Sequence, residues 1–130
     1  MTPKKILFVC IGNACRSPMA EGFARHHGGN LIEAHSAGVY PYGQICEETI
    51  KVMKERGIDI TKQRSKGISE YVLRDFDLIV SMAPMPLSDW QGSVGEIYWD
   101  VHDPFRQSLK EFRKVRDEIE QKVKSLLGKA

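Results

Sequence analysis

Three side chains that could take part in a reaction lie close together near the start of the chain, in the segment VCIGNACRSPMAEG at residues 9 to 22. Cys10 and Arg16 are six positions apart, and Ser17 follows directly. An ionised cysteine is a strong nucleophile, and the planar guanidinium of arginine holds two oxygens of a phosphate-like group at once. This combination predicts a nucleophile that acts on a bound tetrahedral oxyanion.

The elements around this segment are a strand and a helix joined by a loop. Residues 5 to 10 form a continuous apolar run, which is typical of a strand buried on both faces, and residues 16 to 27 have helical spacing with a Ser-Pro start signal. A loop that enters a helix N-terminus directs several backbone N–H groups inward, where the helix dipole adds positive potential. We therefore expect an anion site here, lined by Ile11, Gly12, Asn13, Ala14, Cys15, Arg16 and Ser17.

Individual residues of the loop suit this task. Gly12 allows the tight curve, and Asn13 tolerates a left-handed backbone while its amide braces the loop. Inward N–H groups and positive potential favour the thiolate of Cys10, and Ser17 can donate a further hydrogen bond to that sulfur.

The rest of the chain repeats the alternation of strands and helices. Strands are predicted at residues 31 to 36, 77 to 82 and 95 to 99. Helices are predicted from Ile45 to a stop at Gly57 and, most clearly, over residues 107 to 127. Such alternation predicts an α/β fold, an open parallel sheet with helices on both faces, whose ligands bind beyond the carboxyl ends of the strands.

Length and composition limit the classes of function. A chain of 130 residues with 42% hydrophobic and 28% charged residues predicts a single soluble domain over residues 1 to 130. Nineteen basic against seventeen acidic residues give no reason to expect a nucleic acid or a membrane as partner. The three cysteines lack CxxC spacing, and no apolar run approaches the roughly 20 residues of a membrane span. We expect a cytoplasmic protein with free thiols.

The motif C-x5-R-S followed by PMAEG resembles the low-molecular-weight protein tyrosine phosphatases and the related thioredoxin-coupled arsenate reductases. The resemblance covers nearly the whole chain: HSAG at 35 to 38, RGIDI at 56 to 60, DFDLIVSM at 75 to 82, Asp103-Pro104, and FRKVRDEI at 112 to 119. It implies a three-layer fold, with four parallel strands and helices on both faces. It also implies that Ser36 steadies Asn13, and Asn13, Ser17 and Ser36 are together assigned to support of the loop.

A phosphatase of this family uses three catalytic residues, which the resemblance places at Cys10, Arg16 and Asp103. Cys10 would attack phosphorus in line while Arg16 and the loop amides hold the equatorial oxygens. Asp103 would protonate the leaving oxygen and then activate water against the cysteinyl-phosphate. Pro104 favours an extended Asp103, in a loop that follows the last strand. Neither a metal ion nor a cofactor is expected.

Three functions remain open on this basis. Reduction of a cysteinyl-arsenate needs a further thiol, which thioredoxin-coupled reductases carry as two cysteines after the third strand, whereas this chain has SMAPMPLSDW there. The sequence therefore favours hydrolysis of a phosphorylated protein or a small phosphomonoester. One alternative is arsenate reduction with an external thiol reductant, and another is a noncatalytic module that binds phosphate, sulfate or arsenate.

Other residues have weaker assignments. Cys15 is a candidate redox partner of Cys10, in a protective disulfide, with loop packing as the alternative. Cys46 is predicted to be structural, and the four histidines do not converge on a metal site. Four further side chains are candidates for the wall of the mouth: Tyr40, Tyr42, Met85 and Trp90.

Overall fold

The computed structural model describes residues 2–85 and 95–128. Its centre is a sheet of four strands: β1 (Lys4–Cys10), β2 (Ile32–Gly38), β3 (Leu78–Ser81) and β4 (Gly95–Tyr98). All three pairings are parallel, in the spatial order β2-β1-β3-β4. The expected α/β class and the sheet of four parallel strands are thus confirmed.

The central strand β1 is covered on both faces, which explains its continuous apolar run. Ile6, Phe8 and Cys10 point into the larger hydrophobic core. Leu7 and Val9, which alternate with them, point into a smaller core on the opposite face. Strand β1 is paired with a strand on each side and has a hydrophobic core on each face. Its carboxyl end, at Cys10, is therefore held firmly in place.

In the described residues, three α-helices contribute to the larger core: α1 (Arg16–Gly28), α2 (Glu47–Lys54) and α3 (Leu109–Leu126). The apolar positions of α3 are buried at Phe112, Val115, Ile119 and Val123, as the helical spacing predicts. In the described part of the chain, none of the helices combines the length and apolar character that a membrane crossing requires.

Short 3₁₀ helices complete the layers, at Gly29–Leu31, Ile68–Glu70 and Leu73–Asp75. The last two cover the second face of the sheet, where Leu73 and Phe76 pack against Leu7 and Val9. Helical segments therefore lie on both faces, but the three described α-helices share one of them.

The helix α2 is shorter at both ends than predicted, Glu47–Lys54, but the difference that bears on the site is at the end of β2. The strand continues two residues beyond Ser36, because Gly38 stays in register with Cys10 of β1. Cys10 and Gly38 thus end neighbouring parallel strands side by side, and the loop between β1 and α1 begins at this edge of the sheet. The candidate site lies here.

Candidate active site

The peptide groups of the loop between β1 and α1 are oriented with their carbonyls outward. The carbonyl oxygens of residues 10, 11, 12 and 14 accept hydrogen bonds of 2.8 to 3.2 Å from backbone N–H groups of residues 39 to 46. Since a trans peptide directs its N–H opposite to its C=O, the corresponding N–H groups point to the other side. Within the described residues, the amides of residues 11 to 15 have no hydrogen bond to a protein acceptor. They form a ring of donors suited to an oxyanion.

Asn13 holds the loop in this shape. It has a positive φ of 50° and is fully buried. Its Oδ1 accepts from the backbone N–H of Lys66 at 2.9 Å, and its Nδ2 donates to Ser17 Oγ at 2.7 Å and to Ser36 Oγ at 3.0 Å. The structure thus brings together the three residues that the sequence assigned to loop support.

The Asn13 amide also orients the Ser17 hydroxyl toward the candidate nucleophile. Ser17 Oγ lies 3.0 Å from Cys10 Sγ. Because Oγ already accepts from Asn13, its own hydrogen is free to point at the sulfur; the other acceptor within reach, the Ala37 carbonyl, is at 3.5 Å. A hydroxyl donating in this direction stabilises a thiolate at Cys10.

Behind Ser36 lies a charge network around the buried side chain of Glu21, which the sequence reasoning missed. Ser36 Oγ donates to Glu21 Oε1, and Glu21 is only 2% exposed. Arg25, one helical turn on, pairs with it at 2.7 Å, and Lys66 Nζ lies 4.0 Å away. Burial lowers the pKa of Lys66, an effect that the charge of Glu21 opposes. The i,i+4 spacing of Glu21 and Arg25 was the available signal.

The side chain of Arg16 is held by two backbone carbonyls from the segments that follow β3 and β4. It is 4% exposed, and Nη1 donates to the carbonyls of Met82 at 2.8 Å and Val101 at 2.9 Å. Nε is buried and finds no acceptor among the described residues, and Nη2 lies 3.5 Å from Asp103 Oδ2. A buried donor without a partner costs about 1 to 3 kcal/mol, so an oxyanion that accepts from Nε recovers that energy.

Asp103 reaches the same pocket from the segment after β4. Its Oδ1 accepts from the backbone N–H of Phe105 at 3.2 Å, while Oδ2 faces Arg16. The side chain is 40% exposed, so it is in contact with both solvent and the pocket. The structure therefore unites Cys10, Arg16 and Asp103, the three residues assigned to catalysis.

A cavity of about 320 Å³ connects these groups. Its mouth is aromatic: Tyr40, Tyr42 and Phe105 line it, and the Tyr42 and Phe105 rings meet edge to face with centroids 5.1 Å apart. Of the other residues proposed for the wall, Met85 is not among the lining residues, and Trp90 lies outside the described part of the chain.

Gly38 is a second residue whose role the sequence did not indicate. A Cβ at this position would lie 2.7 Å from the Ile11 carbonyl oxygen and 2.8 Å from the Asn13 amide nitrogen. The loop can reach its place beside β2 only because residue 38 has no side chain.

The remaining cysteines are neighbours. Cys15 lines the cavity together with Cys10, and its Sγ donates to Cys46 Sγ at 3.7 Å. Burial, followed by the nearby Cys46, raises the pKa of Cys15 far above the usual thiol range, and burial also raises that of Cys46. Cys46 had been predicted to be structural; the structure places it against Cys15. Within residues 2–85 and 95–128, no three His, Cys, Asp or Glu side chains are grouped to hold a metal ion.

Known proteins are similar to this chain over nearly its whole length. A protein from Synechocystis named glutaredoxin arsenate reductase is 37% identical over 131 residues, covering 97% of this chain and 98% of that protein. Arsenate reductase 2 of Staphylococcus saprophyticus is 39% identical over 127 residues, covering 95% and 96%. A solved structure described as an arsenate reductase in the phosphate binding state has a TM-score of 0.88 at 36% identity, covering 96% of this chain and 97% of that one.

The family assignment combines the motif, the fold and the match to a family model. The model described as low molecular weight phosphotyrosine protein phosphatase matches residues 5–130, which include the loop, Arg16 and Asp103. The chain belongs to the low molecular weight phosphotyrosine protein phosphatase family.

Proposed function

We propose that this protein reduces arsenate to arsenite at Cys10, with thiols as the source of electrons. Its pocket can bind either phosphate or arsenate, because both are tetrahedral oxyanions of similar charge. The observation that carries the proposal is therefore the similarity, across the whole chain, to proteins named arsenate reductases. This reverses the order in which the sequence motifs ranked the two reactions.

The described side chains suit the first half of the reaction. The loop amides and the free Nε of Arg16 bind the oxyanion and hold arsenic above Cys10 Sγ. The Cys10 thiolate, stabilised by the Ser17 hydroxyl, forms a bond to arsenic, and one arsenic–oxygen bond breaks as water departs. Asp103, at the mouth beside Arg16, is placed to give that leaving oxygen a proton.

The second half requires a thiol. A sulfur attacks Cys10 Sγ and forms a disulfide, while the electron pair of the sulfur–arsenic bond stays on arsenic, which leaves as arsenite. The overall reductant is an external thiol or dithiol. The name of the Synechocystis relative supports a protein of the glutaredoxin class as the first reductant to test.

Hydrolysis of phosphomonoesters is the second candidate, because Asp103 could act as the acid in that reaction too and the mouth of the cavity is aromatic. Asp103 is held in the pocket with Arg16, where a phosphatase needs its general acid, and Phe105 and Tyr42 form an aromatic mouth beside it. A phosphorylated protein or an aryl phosphate would be the substrate.

A paired assay of the purified protein decides between these functions. Arsenite formation is measured with glutaredoxin and glutathione, with thioredoxin, or with a small thiol alone, and hydrolysis of an aryl phosphate is measured in parallel. We expect arsenite to form and the activity to disappear in Cys10→Ser and Arg16→Ala, while Arg74→Ala, at an exposed position, keeps it.

Efficient hydrolysis of the aryl phosphate, with no arsenite formed under any of the three reductants, would contradict arsenate reduction and favour the phosphatase. Oxyanion binding without turnover of either substrate would favour a noncatalytic binding module.

A further inference from the structure

The chain lacks cysteines where a thiol could follow β3, so the electrons for Cys10 must have another source. Residues 82 to 94 contain no cysteine, and the whole chain has only three. Two of them, Cys15 and Cys46, are the pair in contact at 3.7 Å. Cys15 lines the cavity that holds Cys10, whereas Cys46 is not among the lining residues and is half-buried, so that reagents in solution can reach it.

The position of Cys46 is fixed by the same loop that holds the oxyanion site. Its backbone N–H donates to the Ala14 carbonyl at 3.2 Å, and the Thr49 hydroxyl donates to that carbonyl at 2.8 Å. Residues 14 and 15 are thereby tied to the start of α2. The two sulfurs need to approach by less than 2 Å to reach the S–S bond length of about 2 Å.

We propose that Cys15 and Cys46 form an internal dithiol that supplies the two electrons of arsenate reduction, so that the reaction leaves a Cys15–Cys46 disulfide. This inference rests on the proposed arsenate reductase function. It assigns Cys46 a chemical role and makes the small-thiol or protein reductant the partner of the last step only.

The sequence of bonds is balanced in atoms and electrons. Once Cys10 is bonded to arsenic, Cys15 Sγ attacks Cys10 Sγ; the S–As bond breaks, its electron pair reduces arsenic from the +5 to the +3 state, and the Cys15 proton passes to an oxygen of the departing arsenite. Cys46 Sγ then attacks Cys15 Sγ and loses its proton to solvent. Cys10 leaves as a thiolate, and the two electrons have come from Cys15 and Cys46.

The environments of the three sulfurs favour this order. Cys15 is a buried thiol whose pKa is strongly raised, so it does not compete with Cys10 for the free oxyanion and becomes a nucleophile only as an oxygen on the bound arsenic takes its proton. Cys10 has the Ser17 hydroxyl within hydrogen-bond distance and the ring of amides around it, so donors are in place when it leaves as the departing sulfur. Cys46 contacts Cys15 and is the more exposed of the two, so the disulfide passes from Cys10–Cys15 to a pair that an external reductant can reach.

The test is a single turnover in the absence of any added reductant. The protein is reduced, the reductant is removed, and one equivalent of arsenate is added. Released arsenite is quantified, free thiols are trapped by alkylation, and disulfides are assigned by peptide mass spectrometry. We expect one arsenite per chain, a Cys15–Cys46 disulfide, and Cys10 recovered as a free thiol.

Variants separate the two thiol steps. Cys46→Ser is expected to release one arsenite and stop as a Cys10–Cys15 disulfide. Cys15→Ser and Cys15→Ala are expected to release none unless an external thiol is added. Phosphate binding and the urea unfolding midpoint show that each variant retains its fold, and the more conservative of the two Cys15 variants keeps the test valid if the other unfolds.

Failure of this inference is distinguishable from failure of the proposed function. The parent protein could form arsenite only when an external thiol is present and form none in the single turnover. That result would overturn the internal dithiol and leave arsenate reduction intact. A Cys10–Cys15 disulfide as the final product of the parent protein would likewise overturn the role of Cys46. No arsenite under any thiol would overturn the proposed function itself.

Discussion

Replacing Gly38 by alanine tests the close approach on which the oxyanion loop depends. The added Cβ would meet the Ile11 carbonyl oxygen at 2.7 Å, the Asn13 amide nitrogen at 2.8 Å and the Gly12 carbonyl carbon at 2.9 Å. All three are backbone atoms, so no side chain can rotate away. Ordinary contact begins near 3.4 Å, and the Ile11 oxygen would have to recede by about 0.7 Å.

The cost of that displacement has two parts. Overpacking of a rigid site destabilises by about 1 to 3 kcal/mol. The loop amides move with the carbonyls, and loss of one oxyanion donor reduces turnover by about 10²-fold to 10³-fold. We therefore expect Gly38→Ala to lower the free energy of unfolding by about 1 to 3 kcal/mol and to lower phosphate affinity and turnover together.

Urea denaturation and phosphate titration calorimetry measure the two effects. Gly95→Ala is the matched control, because its Cβ would meet its nearest neighbours at an ordinary 3.7 Å. We expect that variant to stay within about 0.5 kcal/mol of the parent protein. A Gly38→Ala protein with the stability and phosphate affinity of the parent would refute the argument that this position shapes the loop.

Three further predictions concern the loop, the candidate acid and the helix contacts. Asn13→Ala removes the three hydrogen bonds of a fully buried side chain on a residue with positive φ. Urea unfolding should therefore show a loss of about 2 to 4 kcal/mol, and a loss below about 0.5 kcal/mol would refute its bracing role. Asp103→Asn should slow aryl phosphate hydrolysis in steady-state assays, because it removes the candidate acid beside Arg16. Asp100→Asn, at an exposed position, is the control and should not slow it. Equal rates in the two variants would exclude Asp103 as the acid. Hydrogen bonds from Arg113 lower the pKa of Glu55 to about 2, so Glu55 contributes stability above its unfolded pKa of about 4.5 and loses it as the pH falls toward 2. Urea midpoints of Glu55→Gln and the parent protein should accordingly differ at pH 7 and converge on acidification, and a difference independent of pH would contradict this.

Local sequence signals predicted the strand, the loop and the helix that carry the nucleophile. The apolar run of β1, the Gly-Asn pair and the helical spacing of α1 each depend on residues only a few positions apart. For the same reason the loop residues and Arg16 could be assigned to one anion site from the sequence.

Features that depend on contacts between distant segments could not be obtained in this way. Cys46 is 31 positions from Cys15, and Gly38 is 27 positions from Ile11, so their contacts exist only after β2 and α2 have packed beside the loop. The buried carboxylate of Glu21 likewise requires Ser36 on a neighbouring strand. The ranking of arsenate reduction and phosphomonoester hydrolysis also changed. The motif indicates the oxyanion site and the nucleophile, but it does not indicate where the electrons for a reduction would come from.

Selective alkylation of Cys10 tests the central claim most directly. If the sulfur is held as a thiolate within the amide ring closed by Arg16, limiting iodoacetamide at neutral pH should modify Cys10 ahead of Cys15, whose pKa burial raises, and phosphate or arsenate should protect it. Peptide mass spectrometry assigns the modified residue. Faster modification of Cys15 or Cys46, or a Cys10 rate that phosphate leaves unchanged, would contradict the account.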